Sequence, residues 1–152
     1  MTMIRAIIQP DAIFLSLEIS GKKRLFEQVA AQVEKTTGIP CDETFGGLNA
    51  REKLGSTALG QGIAIPHARV KGLAAPTGVF IRLAEPIPFD APDGKPVDMA
   101  FALLVPEAAT QTHLEILSLL ATLFSDSAVR QQLRAASTPE SVHACLTGAP
   151  PA

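Results

Sequence analysis

Gly62-Ile63-Ala64-Ile65-Pro66-His67-Ala68-Arg69 decides how this chain is read. Ile63, Ala64 and Ile65 are apolar, two of them β-branched, and read as a buried strand. Pro66 removes a backbone donor and fixes φ, so it is expected to end that strand. His67 then stands on a rigid turn at a strand end, held in one orientation, with Arg69 adding positive charge two residues on. A ring held in this way is suited to receive an anionic group. The plainer reading is a satisfied buried histidine that caps a strand, and the surrounding sequence has to decide between the two.

Upstream, Ser56 to Leu59, the turn Gly60-Gln61-Gly62 and Ile63 to Ile65 read as a β-hairpin. Before it, Lys22 to Thr37 reads as a helix: Leu25, Phe26, Val29, Ala30 and Val33 recur at helical spacing, and Gly38-Ile39-Pro40 supplies a stop. Asp42 is the expected N-cap of a second helix reaching about Lys53, a reading weakened by Gly46-Gly47. Gly55 ends it. Ile7 to Pro10 reads as an early strand or N-terminal arm, and Asp11 to Leu17 mixes apolar and polar residues without a clear period.

Downstream, Gly78 to Leu83 reads as a strand, and Pro86 to Pro96 as a proline-dense connection turning at Asp93-Gly94. Val97 to Val105 is an almost unbroken apolar run, as in a strand buried on both faces, closed by Pro106. Thr110 to Phe124 is the clearest helix, with Leu114, Leu117, Ala121 and Phe124 on one apolar line beside Ile116, Leu120 and Leu123. Asp126 or Ser127 caps a short helix through Ala135, and Ser137-Thr138-Pro139-Glu140 opens a last one. Helices, then strands, then helices predict a layered α/β fold: one domain over 1–152 with a mixed β-sheet flanked by helices on both faces, and a frayed tail over 149–152.

Composition narrows the function. The 152 residues are 47% hydrophobic and 18% charged, an ordinary globular balance. A formal net charge of −2 argues against a nucleic-acid partner, and the absence of Trp and Tyr removes the usual stacking platform. Cys41 and Cys145 lie far apart without CxxC spacing and read as reduced thiols. No segment approaches the roughly 18 apolar residues that span a bilayer, and the N-terminus lacks a secretory pattern. A cytoplasmic protein without membrane insertion is expected.

Three histidines are present. His113 opens the strong helix, where free N–H groups attract anions and disfavour an imidazolium, so its ring is expected to stay neutral. If the run ending at Val105 lies beside the one ending at His67, both rings reach the same end of the sheet. Arg51, at the end of the second helix, supplies a planar permanent cation. Two neutral imidazoles and a guanidinium around a phosphate-sized space would let one ring nitrogen attack phosphorus while the other groups offset oxygen charge. His143, beside Cys145, reads as a surface helix residue. There is no GxxxxGK[ST] loop, no HExxH and no GxSxG, and Gly60-Gln61-Gly62 is not followed by a helix as a dinucleotide loop would be.

Arg51-Glu52, Gly55-Ser56-Thr57, the run from Gly60 to Arg69 and Thr112-His113-Leu114-Glu115-Ile116-Leu117 together resemble the type-2 (fructose/mannitol) enzyme IIA family of the phosphotransferase system, over about residues 8 to 148. The resemblance implies that His67 accepts a phosphoryl group on Nε2 from the phosphohistidine of an HPr-type (NPr) carrier, with His113 and Arg51 supporting that group. It implies no cofactor and no metal. Free-standing length makes the chain most similar to the nitrogen-regulatory branch, whose phosphorylation state regulates partners such as a potassium transporter or sensor kinase. The sugar-transport branch passes its phosphate to an enzyme IIB instead.

On either branch, Ile63, Ile65 and Leu114 are expected to form an apolar rim for docking. Two other classes are weighed: an interaction module that leaves His67 unmodified, and a metal-dependent hydrolase using His67, His113 and Asp98.

Overall fold

The computed structural model describes residues 2–109 and 111–148. The expected helix start at Thr110 and the tail over 149–152 lie outside the described residues. The spine of the sheet is β6 (Val97–Pro106), with β5 (Thr77–Ile87) antiparallel on one side. On its other side β3 (Ile63–Ala64) and β4 (His67–Val70) run parallel to it. β1 (Ile13–Leu17) pairs parallel with β5, and β2 (Ala58–Gly60) pairs antiparallel with β3. The order is β1-β5-β6-β3-β2 with β4 beside β6, a mixed sheet as the sequence predicts.

Alternation along β5 and β6 divides two cores. Val79, Ile81, Ala100, Ala102 and Leu104 face α2 (Lys22–Thr37) and α3 (Cys41–Lys53), where Leu25, Phe26, Val29 and Val33 meet them. Phe80, Met99, Phe101, Leu103 and Val105 face the other way. They pack on α1 (Thr2–Ile7), α4 (Gln111–Ser125), α5 (Ser127–Ala135) and α6 (Pro139–Thr147). Helices on both faces explain why the run from Val97 is apolar without alternation. Each fully buried Leu, Ile or Phe contributes about 1.5–3 kcal/mol over its exposed state.

Helix signals hold where capping chemistry is explicit. Gly38 adopts φ 81° and donates its N–H to the Glu34 carbonyl, ending α2 as expected. Asp126 accepts from the Ala128 N–H, and Thr138 with Ser141 forms a capping box before α6. Asp42 is not the N-cap of α3; Pro40 is, and Asp42 falls in the first turn. Gly46 and Gly47 lie inside that helix without breaking it.

Three expectations are corrected. Residues 2–17 are not an early strand with a formless stretch but α1, a 3-10 turn at Pro10–Ala12 and then β1. A six-residue helix has too few residues for a period, and tertiary packing of Ile4, Ile7 and Ile8 holds it. Pro66 closes β3 but not the pairing with β6, so His67 opens β4 rather than standing on a turn. Ile63 lies opposite Met99 and His67 opposite Leu103, one constant register, so β3 and β4 are a single line interrupted by one missing donor. The Pro66 carbonyl still accepts from the Leu103 N–H at 2.8 Å, and the ladder resumes at once. The strand expected over Gly78 to Leu83 runs on to Ile87 and takes in Pro86, with a register shift after Arg82.

The buried stripe of α4 is also rotated from the predicted line. His113, Ile116, Leu120, Leu123 and Phe124 face the core, whereas Leu114 is 62% exposed. Cys41 and Cys145 are unpaired. No helix among the described residues is long and apolar enough to cross a membrane.

Candidate functional site

Three elements bring the site together. α3 carries Arg51 in its last turn, β4 begins with His67, and α4 carries His113 two residues after Gln111. The approach of α3 to β4 depends on Gly47, where a Cβ would stand 3.1 Å from Ala68 Cβ and 3.4 Å from the Arg69 carbonyl. A side chain there would press the helix bearing Arg51 against the strand bearing His67, and one of the two would have to give by a few tenths of an ångström. Arg69 donates its Nε–H to the Ala109 carbonyl at 3.1 Å, tying β4 to the segment that leads into α4. The charge expected of Arg69 thus also has a structural use.

Both nitrogens of His67 are engaged. Nδ1 lies 2.8 Å from the Ile65 carbonyl, which can only accept, so Nδ1 carries the proton. Nε2 therefore presents a lone pair, and the Nε–H of Arg51 donates to it at 3.2 Å. Arg51 also donates from Nη1 to the Gly55 carbonyl at 2.8 Å, which fixes the guanidinium in the turn after α3. His113 packs edge-on against His67, with ring centroids 5.4 Å apart and planes at 74°.

The electrostatics favour neutral rings. Burial is the main cause holding the His67 pKa below its ordinary value, with Arg51 acting in the same sense; the Ile65 carbonyl and Glu52 oppose them. His113, only 7% exposed, is lowered first by burial and then by His67 and Arg69. Its Nδ1 is buried without a hydrogen-bond partner. An unpaired buried lone pair is tolerated more easily than an unpaired N–H, which places the proton of His113 on Nε2. The two rings thus carry opposite tautomers, His67 with its Nε2 lone pair turned to Arg51 and His113 with a free donor.

The sequence named these three side chains, and the structure brings all three together. It does not do so for the others. Asp98, the suggested third metal ligand, pairs with Arg134 at 2.9 Å and sits five residues before Leu103 on β6, about 16 Å along the strand from the level of His67. His143 is not a free surface residue, since its Nε2 meets the Ile8 carbonyl at 3.1 Å and joins α6 to the N-terminal segment. Ile63 and Ile65 are buried and form no rim. Among the described residues the large exposed apolar ones are Leu54, Leu59 and Leu114: Leu54 follows α3 directly, Leu59 lies in β2 and Leu114 adjoins His113.

One residue escaped the reading. The side chain of Glu52 is enclosed beside Arg51 and bonded to Thr57 and Lys22. Its only sequence signal was its place in the Arg51-Glu52 motif, which carries no chemistry until the turn is seen.

A family model described as "Phosphoenolpyruvate-dependent sugar phosphotransferase system, EIIA 2" matches residues 6–148. A nitrogen regulatory protein of Pseudomonas aeruginosa is 42% identical over 144 residues, 94% of this chain and 94% of that protein. The crystal structure of nitrogen regulatory protein IIA-Ntr from Neisseria meningitidis superposes with a TM-score of 0.91 at 50% identity, covering 95% of this chain and 99% of that one. Mannitol IIA from Escherichia coli, 20% identical, has the same fold with a TM-score of 0.77, covering 91% of this chain and 98% of that one.

Proposed function

This chain belongs to the type-2 EIIA family of the phosphoenolpyruvate-dependent phosphotransferase system, and from that membership we propose that His67 takes a phosphoryl group on Nε2 from a phosphohistidine of an HPr-type (NPr) carrier. The observation that carries the reading is the bonding of the His67 ring: Nδ1–H is held by the Ile65 carbonyl while Nε2 keeps a lone pair facing Arg51.

In the transfer, the Nε2 lone pair forms a bond to phosphorus as the N–P bond of the carrier breaks, and that electron pair returns to the carrier's ring nitrogen. The His67 ring becomes positive and keeps its Nδ1 proton, which the Ile65 carbonyl stabilises. A carrier ring protonated on its other nitrogen leaves neutral, so no proton has to move. Arg51 must release Nε2 during this step. Its Nη1 anchor on Gly55 lets the guanidinium turn toward the phosphoryl oxygens without leaving the site, and the Nε2–H of His113 offers them a second donor.

The output is regulatory, as the names of the Pseudomonas and Neisseria relatives suggest. Phosphorylation places a doubly charged phosphoryl group, offset in part by the positive His67 ring, beside the exposed Leu54 and Leu114. A partner docked on that surface, such as a potassium-transport protein or sensor kinase, then distinguishes the two states by charge. Incubation with phosphoenolpyruvate, enzyme I and the HPr-type carrier should label wild type with an acid-labile phosphate and leave His67→Ala unlabelled. Full labelling of His67→Ala would end the proposal.

A further inference from the structure

Glu52 presents a carboxylate to the inside of the protein, its side chain only 6% exposed. It accepts from three donors: Thr57 Oγ1 at 2.6 Å on Oε1, and the Thr57 N–H at 3.1 Å and Lys22 Nζ at 3.0 Å on Oε2. A buried carboxylate is tolerated only when saturated in this way, and charge-assisted bonds of this kind are short and strong. Lys22, at the start of α2, is itself held by Asp90 at 3.3 Å and lies 4.7 Å from the centroid of the Phe89 ring. The start of α2, the end of α3 and the entry to β2 are therefore fastened at one carboxylate.

From that point two lines of hydrogen bonds lead to the reacting atom. On one side the Thr57 carbonyl accepts the Ile65 N–H at 3.0 Å, and the Ile65 carbonyl accepts His67 Nδ1–H at 2.8 Å. On the other, the Gly55 carbonyl holds Arg51 Nη1 at 2.8 Å, and Arg51 Nε–H reaches His67 Nε2 at 3.2 Å. Both lines begin in the turn from Leu54 to Thr57, which Glu52 clamps by its hydroxyl and amide bonds to Thr57. Glu52 touches neither reacting nitrogen.

We propose that Glu52 is a positioning residue for the phosphoryl transfer, fixing the turn from Leu54 to Thr57 so that Arg51 and His67 meet at Nε2. This rests on His67 being the acceptor. A competing effect of Glu52 is its charge alone, felt by His67 through space. Thr57 separates the two, because its substitution loosens the clamp while leaving the charge of Glu52 in place.

The test measures transfer from the phosphorylated HPr-type carrier to wild type, Glu52→Gln, Thr57→Val and Thr57→Ser, together with the imidazole 15N signals of His67 in the unphosphorylated proteins. Glu52→Gln presents an amide where two donors now point. It should lower kcat on the order of tenfold to a hundredfold with the KM for carrier unchanged. Thr57→Val should fall in the same direction by less, and Thr57→Ser should keep the wild-type rate. In Glu52→Gln and Thr57→Val the His67 signals should average between tautomers rather than report a fixed Nδ1–H. Wild-type kcat and tautomer in Glu52→Gln would overturn the proposal. So would a fully active Thr57→Val beside an impaired Glu52→Gln, which assigns the effect to charge. If Glu52→Gln does not fold, the Thr57 pair decides by the same two readouts. If wild-type His67 takes no phosphoryl group, the acceptor reading fails, and the tautomer signals still decide whether Glu52 positions the ring.

Discussion

Arg51 does two opposed things at His67. Its guanidinium lowers the basicity of the ring and donates to Nε2, the lone pair that attacks in the proposed transfer, while supplying the cation that the proposed phosphoryl group would need. Arg51→Ala should therefore raise the His67 pKa, seen in an imidazole titration, yet slow phosphoryl transfer by about a hundredfold, as loss of a charge-stabilising donor commonly does. Arg51→Lys should recover little, because an ammonium cannot hold the Gly55 carbonyl and reach Nε2 together in a planar fork. A slower transfer without a titration shift would mean that the contact at Nε2 is not made in solution. A second residue-scale expectation concerns Thr44, whose Oγ1 is buried in α3 without a partner. Thr44→Val keeps the shape and removes an unsatisfied hydroxyl, and should raise stability by about 1 kcal/mol in a urea melt; a destabilised variant would show that the hydroxyl is satisfied.

At the scale of elements, the site is a meeting of a helix end, a strand start and a helix start, and the distance between α3 and β4 is its most sensitive dimension. Gly47 sets it. In an isolated helix Gly→Ala adds about 1 kcal/mol, but here the new Cβ would lie 3.1 Å from Ala68 Cβ, closer than the about 3.5 Å that carbon atoms accept. Gly47→Ala should gain no melting temperature and should slow transfer by several-fold as Arg51 moves off Nε2. A higher Tm with an unchanged rate would show that α3 can be displaced without consequence for the site. The same two elements show why part of the site was legible. A Pro-His step after an apolar run, a histidine opening a Leu-rich helix and an arginine at a helix end are each visible in one dimension. The register that carries β3 through Pro66 into β4 is not, because a proline reads as a stop unless the neighbouring strand is known to keep pairing beyond it. The buried face of α4 was misread for a related reason, although Leu114 was expected at a docking rim. An apolar line drawn through Leu114 and Leu117 fits a helix of 3.6 residues per turn about as well as the one through Ile116 and Leu120, and only the packing against Phe101 and Val105 selects between them.

Across the whole molecule, two neutral histidines, one half-buried and one buried, make stability depend on pH. His67 and His113 both have folded pKa values below the ordinary 6.5, so the unfolded chain takes up protons first as the pH falls. Their contribution is fully present above that ordinary value and is lost on the acid side. The urea midpoint should be lower at about pH 5 than at about pH 8, and His113→Gln should shrink the difference; an equal or larger difference in that variant would place the acid sensitivity elsewhere. The layered fold was legible at this scale because both faces of β5 and β6 are apolar and the capping residues are explicit. The N-terminal helix was not, since α1 has too few residues to show a period and owes its form to packing beside α6. Glu52 was not legible either, because its partners Lys22 and Thr57 become neighbours only once α2, α3 and β2 are assembled. The most direct test of the central claim is phosphorus and nitrogen NMR of the protein after phosphorylation by the carrier. One phosphoryl group per chain, bonded to Nε2 of His67 with Nδ1 still protonated, is the expected result. A phosphoryl group on Nδ1, on His113, or on no histidine would contradict it.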